Sequence, residues 1–263
     1  MSKNVIVTGA AGGMGAAICK KLVANNWNVF AIDIRPLEME GVTSFCCDMT
    51  KTDDLEKTKN DLLKITDKVD AIVHAAGIYD LDAFSEMDDE RFTRIFEINV
   101  FGAYRINRIF TPYMSDGGRI TIITSELAPL NPLPFTGIYA VTKAALDKYA
   151  YSLRSELALR GIKVTVIRPG AVKTGLLNVS TTALDRFVAN TKYFAPNAKH
   201  FKNIVDHVEA KSVAAEKIGE LVWKSLTVKK PKFVYSINRN ILLRIMSALP
   251  DHFQVWILKV ILR

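Results

Sequence analysis

The chain begins with a short apolar strand, a glycine-rich turn and a helix, and this order restricts the fold more than any other feature. The strand pattern covers Asn4–Thr8, and helical periodicity starts at Ala16. The turn between them has the pattern Thr-Gly-x-x-x-Gly-x-Gly and contains Gly9, Gly13, Met14 and Gly15. Glycines suit a turn in which a pyrophosphate must approach the N–H groups of a helix N-terminus without meeting a Cβ. We therefore predict a dinucleotide-binding unit, with a plain tight turn as the alternative.

The second strand pattern, Asn28–Asp33, ends on an acid about twenty residues after the glycines. A carboxylate at this place accepts hydrogen bonds from the adenosine ribose hydroxyls and repels a 2′-phosphate. Asp33 therefore predicts NAD, with NADP less favoured. Arg35 follows two residues later and would partly offset this preference. The alternative for Asp33 is a solvated strand end.

Further strand patterns alternate with helical ones, and they predict right-handed βαβ units in a parallel sheet. They cover residues 45–50, 69–77 and 118–125, and a last strand covers 233–236. We expect a single doubly wound α/β domain with about seven parallel strands over residues 1–236. Ligands in such sheets bind at the carboxyl ends of the strands. The segments that follow strands in this way are Gly9–Gly15, Asp33, Asp48, Ala75–Gly77 and Ser125.

Two helices carry the remaining candidate residues. The first is predicted to run through Arg91–Met114 after a cap at Asp88 or Asp89, with Asn99 in an apolar stretch at its middle. A buried asparagine must find hydrogen-bond partners. The second contains Tyr139 and Lys143, which lie one turn apart on the same helix face. A phenol has an ordinary pKa of about 10, and a nearby ammonium favours the phenolate and suits it to proton transfer.

Taken together, these motifs resemble those of short-chain dehydrogenases/reductases over about residues 3–236. The resemblance rests on the glycine turn, Asp48, Ala75-Ala76-Gly77, Asn99, Ser125, Tyr139-xxx-Lys143 and the Arg168–Thr174 segment. It implies that Tyr139 gives or takes the proton at the substrate oxygen and that Ser125 hydrogen-bonds that oxygen. It also implies that Lys143 lowers the pKa of Tyr139 and holds the nicotinamide ribose. Asn99 would support a proton-relay water.

The same resemblance implies a cofactor site along the strand ends. Asp48 and Met49 would flank the adenine. Pro169, Gly170, Val172 and Thr174 would lie along the nicotinamide, while Gly9, Gly13, Met14, Gly15, Ala75, Ala76 and Gly77 would border the rest of the cofactor. Two departures occur. His74 precedes Ala75 where the family often has asparagine, and we expect it to be a buried structural residue and not a base. The Ser125–Tyr139 interval is one residue longer than the commonest spacing.

Residues 175–211 stand where the family has its substrate lid, and they are rich in apolar residues. These are Leu176, Leu177, Val179, Leu184, Phe187, Val188, Tyr193, Phe194 and Phe201. An apolar lid favours a large hydrophobic alcohol over a sugar. The alternative is that these side chains only pack the lid onto the body.

Most of the net charge of +8 lies near the end of the chain, where eight basic residues between Lys224 and Arg263 stand against Asp251 alone. Residues 237–263 form an apolar, basic extension of two short helical runs. We expect the extension either to pack in a homodimer or homotetramer or to contact an anionic membrane surface. It lacks the dense alternation of basic and aromatic residues that nucleic-acid binding requires, so we expect no nucleic-acid partner.

An odd number of cysteines, namely Cys19, Cys46 and Cys47, and the lack of CxxC spacing predict a reduced, cytoplasmic protein without a metal site. We expect an NAD(H)-dependent oxidoreductase that acts on a secondary alcohol or ketone of a hydrophobic substrate, such as a hydroxysteroid or bile acid. The alternatives are a 3-oxoacyl thioester reductase and a non-catalytic dinucleotide-binding sensor.

Overall fold

The computed structural model describes residues 2–209 and 212–263, and the side chains of residues 176–178 and 206–209 are outside that description. Its strands are β1 (Asn4–Thr8), β2 (Asn28–Asp33), β3 (Val42–Cys46), β4 (Val69–His74), β5 (Met114–Ile123), β6 (Lys163–Pro169), β7 (Val172–Lys173), β8 (Val213–Ala214) and β9 (Val234–Ile237). Seven of them form a parallel sheet in the order β3-β2-β1-β4-β5-β6-β9, and β7 pairs with β8. The predicted single-domain, doubly wound α/β fold is confirmed.

The helices are α1 (Gly13–Val23), α2 (Thr52–Leu63), α3 (Asp89–Phe96), α4 (Gly102–Phe110), α5 (Gly137–Leu157), α6 (Gly175–Asn190), α7 (Ala195–Glu209), α8 (Glu216–Thr227), α9 (Ile241–Ala248) and α10 (Asp251–Ile261). They lie on both faces of the sheet, so its strands are apolar on both sides. In β1, Ile6 packs into the core on one face, while Val5 and Val7 pack into the core on the other. This alternation follows from the two-residue period of a strand.

The predicted helix through Arg91–Met114 is wrong as a continuous element. A π-helical turn at Glu97–Phe101 separates α3 from α4, a 3₁₀ turn covers Thr111–Tyr113, and Met114 opens β5. Proline within that 3₁₀ turn cannot continue an α-helical hydrogen-bond ladder. The predicted cap at Asp88 is confirmed, since its carboxylate accepts a hydrogen bond from the Arg91 N–H at 2.7 Å.

Smaller boundary errors occur at several strands: β4 ends at His74 and not at Gly77, and β9 covers Val234–Ile237 and not 233–236. The third strand ends at Cys46 and not at Thr50, because Asp48 accepts hydrogen bonds from the N–H and hydroxyl of Thr50 and turns the chain. The fifth strand ends at Ile123, so Ser125 lies two residues beyond it. This position still leaves Ser125 at the carboxyl edge of the sheet.

The C-terminal extension forms the two predicted helices, α9 and α10. Asn131, in the loop after Ser125, donates its backbone N–H to the Ser247 hydroxyl at 3.0 Å. Leu262 is buried against lid residues that include Phe187 and Phe201. Within residues 2–209 and 212–263, no helix is long and apolar enough to cross a bilayer.

Candidate active site

The glycine turn joins β1 to α1 and places backbone N–H groups at the helix N-terminus. Gly9 has φ +66, and a Cβ there would lie 2.5 Å from Ala76 Cα. A Cβ on Gly15 would lie 2.1 Å from the Gly9 carbonyl oxygen, and one on Gly13 would lie 2.8 Å from Thr174 Cβ. These three glycines are therefore required by close chain packing around the turn. The glycine at the helix N-cap itself is Gly12, which the sequence pattern did not single out.

Asp33 ends β2 beside this turn. Its Oδ2 accepts a hydrogen bond from the Ala11 N–H at 3.0 Å, and its Oδ1 accepts one from the Arg35 N–H at 3.0 Å. The Arg35 Nε lies 3.9 Å from the same carboxylate. Asp33 thus fixes the turn and faces a cavity of about 250 Å³, which it shares with Asp48 and Met49.

Asp48 also lines that cavity. Burial would raise the pKa of its carboxyl, but hydrogen bonds from Thr50 outweigh burial and hold the pKa below its ordinary value. Asp48 therefore stays ionised and keeps the corner after β3 closed. Residues Ala75, Ala76 and Gly77, at the end of β4, line the same cavity.

Tyr139 and Lys143 lie in the first two turns of α5. Both side chains are buried, and the Lys143 Nζ lies 5.6 Å from the centre of the Tyr139 ring. The Nζ also donates to the Ile123 carbonyl at 3.3 Å, at the end of β5. Ser125, two residues beyond that strand, lies close enough to the Tyr139 hydroxyl to lower the pKa of the phenol. The structure thus brings together the three residues that the sequence singles out for proton transfer.

Burial governs the pKa values of both groups. It raises the pKa of the Tyr139 phenol to about 12, and the Ser125 side chain only partly opposes this. Burial lowers the pKa of the Lys143 ammonium to about 8. The lowering of the Tyr139 pKa by Lys143 stays a prediction.

Asn99 lies in the π-helical turn and is buried. Its Oδ1 accepts from the Ile78 N–H at 2.8 Å, and its Nδ2 donates to the Ile78 carbonyl at 3.0 Å and to the Thr142 hydroxyl at 3.1 Å. Thr142 in turn donates to the Tyr139 carbonyl at 2.8 Å. Asn99 therefore connects the segment after β4 to the helix that carries Tyr139. Its role beside a relay water stays a prediction.

A second cavity of about 220 Å³ is lined by the Ser125, Tyr139 and Lys143 side chains, and we call it the catalytic cavity. Ala75, Gly77 and Ile78 line both cavities, so the two adjoin at the carboxyl ends of β1 and β4. Met14, Pro169, Gly170, Val172 and Thr174 line the second cavity. The chain order of the strands reverses between β1 and β4, which is where open α/β sheets bind their ligands.

Comparisons with known proteins agree with this geometry. Residues 3–185 match the family described as short chain dehydrogenase. The chain belongs to the short-chain dehydrogenase family. It is an oxidoreductase of that family, whose members bind a nicotinamide dinucleotide and small substrates and are commonly oligomeric. The adjoining cavities fit such a cofactor, because glycines with no Cβ border them along the strand ends.

Several relatives can be named. The uncharacterized oxidoreductase YbbO of Escherichia coli strain K12 is 29% identical over 198 residues, which are 72% of this chain and 74% of that protein. Estradiol 17-beta-dehydrogenase 2 of Mus musculus is 29% identical over 187 residues, which are 66% of this chain but only 49% of that protein. A 3-ketoacyl-(acyl-carrier-protein) reductase from Brucella melitensis complexed with NADH has the same fold. Its TM-score is 0.72 and its identity is 20%, over 91% of this chain and 98% of that one.

The departure at His74 from the common short-chain dehydrogenase pattern has a structural explanation. The ring is buried at the end of β4, and its Nε2 lies 2.9 Å from the Asn107 Oδ1. Burial lowers the pKa of His74 to about 4, so the ring is neutral at neutral pH. His74 lies in the core beside Asn107, as expected for a buried structural residue. It lines neither of the two cavities.

The lid of this short-chain dehydrogenase divides its apolar residues between two roles. Leu184, Phe187 and Phe201 are buried in a cluster of their own, whereas Val179 and Tyr193 are exposed. Phe201, with Ile204 and Val205, also lines the catalytic cavity. Leu176 and Leu177, which the sequence also assigned to the lid, lie outside the described side chains, as do residues 210–211 at its end.

Polar contacts hold the lid against the body. Asp80 accepts hydrogen bonds from Arg91 at 2.8 and 3.0 Å and from Arg186 of α6 at 2.5 Å. Glu86 accepts from the Thr191 hydroxyl at 2.6 Å and from the Lys192 N–H at 2.6 Å. The contacts of Asp80 and Glu86 with the lid could not be predicted from the sequence, because they join residues about a hundred positions apart. Acidic residues after β4 and basic ones in the lid were their only sequence signal.

Proposed function

We propose that this chain is an NAD(H)-dependent oxidoreductase that interconverts a secondary alcohol and a ketone on a hydrophobic substrate, of the hydroxysteroid or bile-acid class. One observation carries the proposal: the Ser125 and Tyr139 hydroxyls and the Lys143 ammonium meet at a cavity whose other walls are mainly apolar. The carbonyl oxygen of a substrate in this cavity could accept hydrogen bonds from the Ser125 and Tyr139 hydroxyls. The lid would cover the hydrophobic remainder of that substrate.

The proposed roles follow from these positions. The Tyr139 phenol gives its proton to the substrate oxygen in reduction and takes it back in oxidation. Ser125 hydrogen-bonds that oxygen as it gains negative charge. Lys143 supplies positive charge beside the phenol and a donor toward the nicotinamide ribose, and Asn99 keeps the Ile78 segment in place, beside a relay water. A bound nicotinamide cofactor would supply or accept the hydride.

We also propose that the cofactor is NAD(H). Asp33 supports this choice, because its carboxylate faces the cavity at the end of β2 and would repel a 2′-phosphate. Arg35 stands beside it and would attract that phosphate, so the preference depends on which of the two charges lies nearer to the ribose. We assign Asp48 and Met49 to the adenine end and Pro169, Gly170, Val172 and Thr174 to the nicotinamide end.

The substrate class is supported by the character of the cavity walls. Leu127, Leu133, Phe201, Ile204 and Val205 line it, and apolar walls of this kind favour a hydrophobic body over a sugar. The likeness to estradiol 17-beta-dehydrogenase 2 agrees with a steroid-like substrate over the part of that protein that is matched. The alternative is a 3-oxoacyl thioester. Asp33 does not decide between the two, because the Brucella melitensis 3-ketoacyl reductase of the same fold is complexed with NADH.

We further propose that the chain is a cytoplasmic homodimer or homotetramer and that its C-terminal extension packs against a second subunit, with contact to an anionic membrane surface as the alternative. Free cysteines, one of them exposed, support a reducing compartment. Apolar side chains on the outside of α9 and α10 are compatible with either contact: Ile241, Leu242, Ile245, Phe253, Val255, Trp256, Val260 and Ile261. Sedimentation with vesicles that contain anionic lipid tests the membrane alternative, and protein that stays in the supernatant would contradict it.

The test of the catalytic proposal follows nicotinamide absorbance while the purified protein meets hydroxysteroids, bile acids, 3-oxoacyl thioesters and simple secondary alcohols. Each is offered with NAD⁺ or NADH and with NADP⁺ or NADPH. We expect turnover of a steroid or bile acid with NAD(H). Turnover of the thioester with NADPH alone would support the alternative, and cofactor binding without any turnover would support a sensor.

A further inference from the structure

The wall of the catalytic cavity includes a residue from the C-terminal extension, beyond the last strand of the sheet. Leu243, in the first turn of α9, lines the cavity together with Leu127, Ile204 and Val205. The neighbouring Leu242 points elsewhere: it is 74% exposed and does not line that cavity. The extension is therefore part of the site that contains Ser125 and Tyr139.

The first turn of α9 is fixed close to Ser125. The Asn240 N–H donates to the Glu126 Oε2 at 2.6 Å, and the Asn240 Oδ1 accepts from the N–H groups of Leu242 at 2.9 Å and Leu243 at 3.3 Å. Glu126 follows Ser125 directly, and its own N–H donates to the Pro169 carbonyl at 2.8 Å. Two hydrogen bonds thus connect Leu243 to the residue beside the catalytic serine.

The turn before α9 is wedged against the loop after β6. Asn238 has φ 53, and its carbonyl oxygen occupies the space that a Cβ on Gly170 would need, at 1.9 Å. The Asn238 Nδ2 donates to the Ala171 carbonyl at 2.9 Å. The family resemblance implies that Gly170 lies along the nicotinamide. In the structure, the lack of a Cβ on Gly170 also leaves room for the Asn238 carbonyl at the start of the extension.

The far end of the extension is held as well. Gln254, which is buried in α10, accepts a hydrogen bond from the Asn131 Nδ2 at 3.2 Å. The Leu262 carbonyl accepts one from the Asn197 Nδ2 of the lid at 2.6 Å. The extension therefore bridges the loop after Ser125 and the lid, and its position is determined at both ends.

We propose that Leu243 contacts the substrate and determines how long an apolar group the cavity accepts, and that Glu126 is the positioning residue that holds it there. The proposal rests on the proposed ketone and alcohol chemistry, and it adds that the extension selects the substrate. Shortening Leu243 enlarges the cavity and favours longer substrates, whereas a larger side chain favours shorter ones.

The experiment compares 2-hexanone with 2-dodecanone in the full-length wild-type, Leu243→Ala, Leu243→Phe and Leu242→Ala proteins. One side chain of a few carbons in an apolar pocket is worth about tenfold in discrimination, so we expect the ratio of kcat/KM for the long over the short ketone to rise about tenfold in Leu243→Ala. It should fall in Leu243→Phe. Leu242→Ala is the matched control and should stay within about twofold, as surface substitutions do. The dissociation constant of NADH should be unchanged in all four.

Binding of the same two ketones to the NADH complex, measured by calorimetry in a Tyr139→Phe background, separates this proposal from the proposed function. If the wild type reduces neither ketone, the chemistry is wrong for these probes, but the binding ratio still tests Leu243. Leu243 variants that match Leu242→Ala in both measurements would overturn the inference.

Glu126 is tested by rescue. Glu126→Ala removes the acceptor for the Asn240 N–H and should shift the ketone ratio in the same direction as Leu243→Ala. Glu126→Gln keeps an oxygen acceptor and should restore the wild-type ratio. A ratio that is unchanged in Glu126→Ala would exclude the positioning role, and a general folding defect would lower both ketone rates without changing their ratio.

Discussion

The Lys143 Nζ lies 5.6 Å from the centre of the Tyr139 ring, one helical turn away along α5, and both side chains are buried. With a pKa of about 8, the lysine remains mostly charged at neutral pH, while the phenol, with a pKa of about 12, keeps its proton. In this structure Tyr139 therefore holds the proton that the proposed reduction requires, and Ser125 lies near its hydroxyl. Oxidation of an alcohol would need additional stabilisation of the phenolate.

Tyr139→Phe should reduce turnover by about 10²–10⁴-fold, because proton transfer by a positioned acid contributes roughly that much. The dissociation constant of NADH should change little, since only the phenolic oxygen is lost. Steady-state rates and a fluorescence titration with NADH measure the two effects. Tyr151→Phe, which removes an exposed hydroxyl from the same helix, is the matched control. Full activity in Tyr139→Phe would overturn the assigned mechanism.

Gly77→Ala should lower kcat, although the alanine touches no reacting atom that we assign. The added Cβ would lie 3.2 Å from the Lys143 Nζ and 3.3 Å from the Asn99 Oδ1, so it presses on both side chains. Relieving these contacts takes shifts of a few tenths of an ångström. Since a displacement of about 1 Å can cost about a hundredfold in rate, we expect a loss well below about a hundredfold. Gly175→Ala, where a Cβ would meet nothing within 4 Å, is the control. Equal rates in the two variants would show that the contact is harmless.

Asp33→Asn should reduce the preference for NADH over NADPH by at least about tenfold, which corresponds to about 1.4 kcal/mol. The substitution removes the charge that would repel a 2′-phosphate and leaves Arg35 beside it. An asparagine oxygen can still accept one of the two backbone N–H bonds that Asp33 accepts, so the turn should persist. The dissociation constants of NADH and NADPH are measured in Asp33→Asn and in the wild type. Glu38→Gln, which neutralises an exposed acid five residues along the chain, is the control. An unchanged ratio would contradict the ribose assignment.

The sequence predicts the fold well because each strand carries its own signal. Asn4–Thr8 and Asn28–Asp33 are found with the predicted bounds, since an apolar run of β-branched residues between turn signals admits few other structures. The interrupted helix around Asn99 was not predicted, because the π-helical turn depends on side-chain bonds to Ile78, which is 21 positions away. No local periodicity reports such a contact.

The catalytic cavity shows the same limit. Tyr139 and Lys143 are four positions apart, so a helix is enough to predict their proximity. Leu243 and Glu126 are separated by more than a hundred positions, and their connection depends on how the extension folds back over the loop. The effect of burial on the pKa values of Tyr139 and Lys143 could not be predicted from the pentapeptide, because burial is a property of the packed site.

His74 should make the protein less stable in acid. Burial lowers its pKa from 6.5 to about 4 in the folded state, so the unfolded chain binds a proton first as the pH falls. The associated stability is fully present above about pH 6.5 and is lost as the pH falls through about 4, which amounts to about 3 kcal/mol in all.

The variant His74→Gln isolates this contribution. Its Nε2 can donate to the Asn107 Oδ1, as the ring does at 2.9 Å, but an amide does not titrate. Between about pH 7.5 and pH 4.5, the free energy of unfolding in urea should fall by about 2–3 kcal/mol more in the wild type than in the variant. All other titrating groups are common to both proteins, so they cancel in the difference. Parallel losses in the two proteins would mean that the buried ring takes up its proton without cost, and the neutral, structural assignment of His74 would then be wrong.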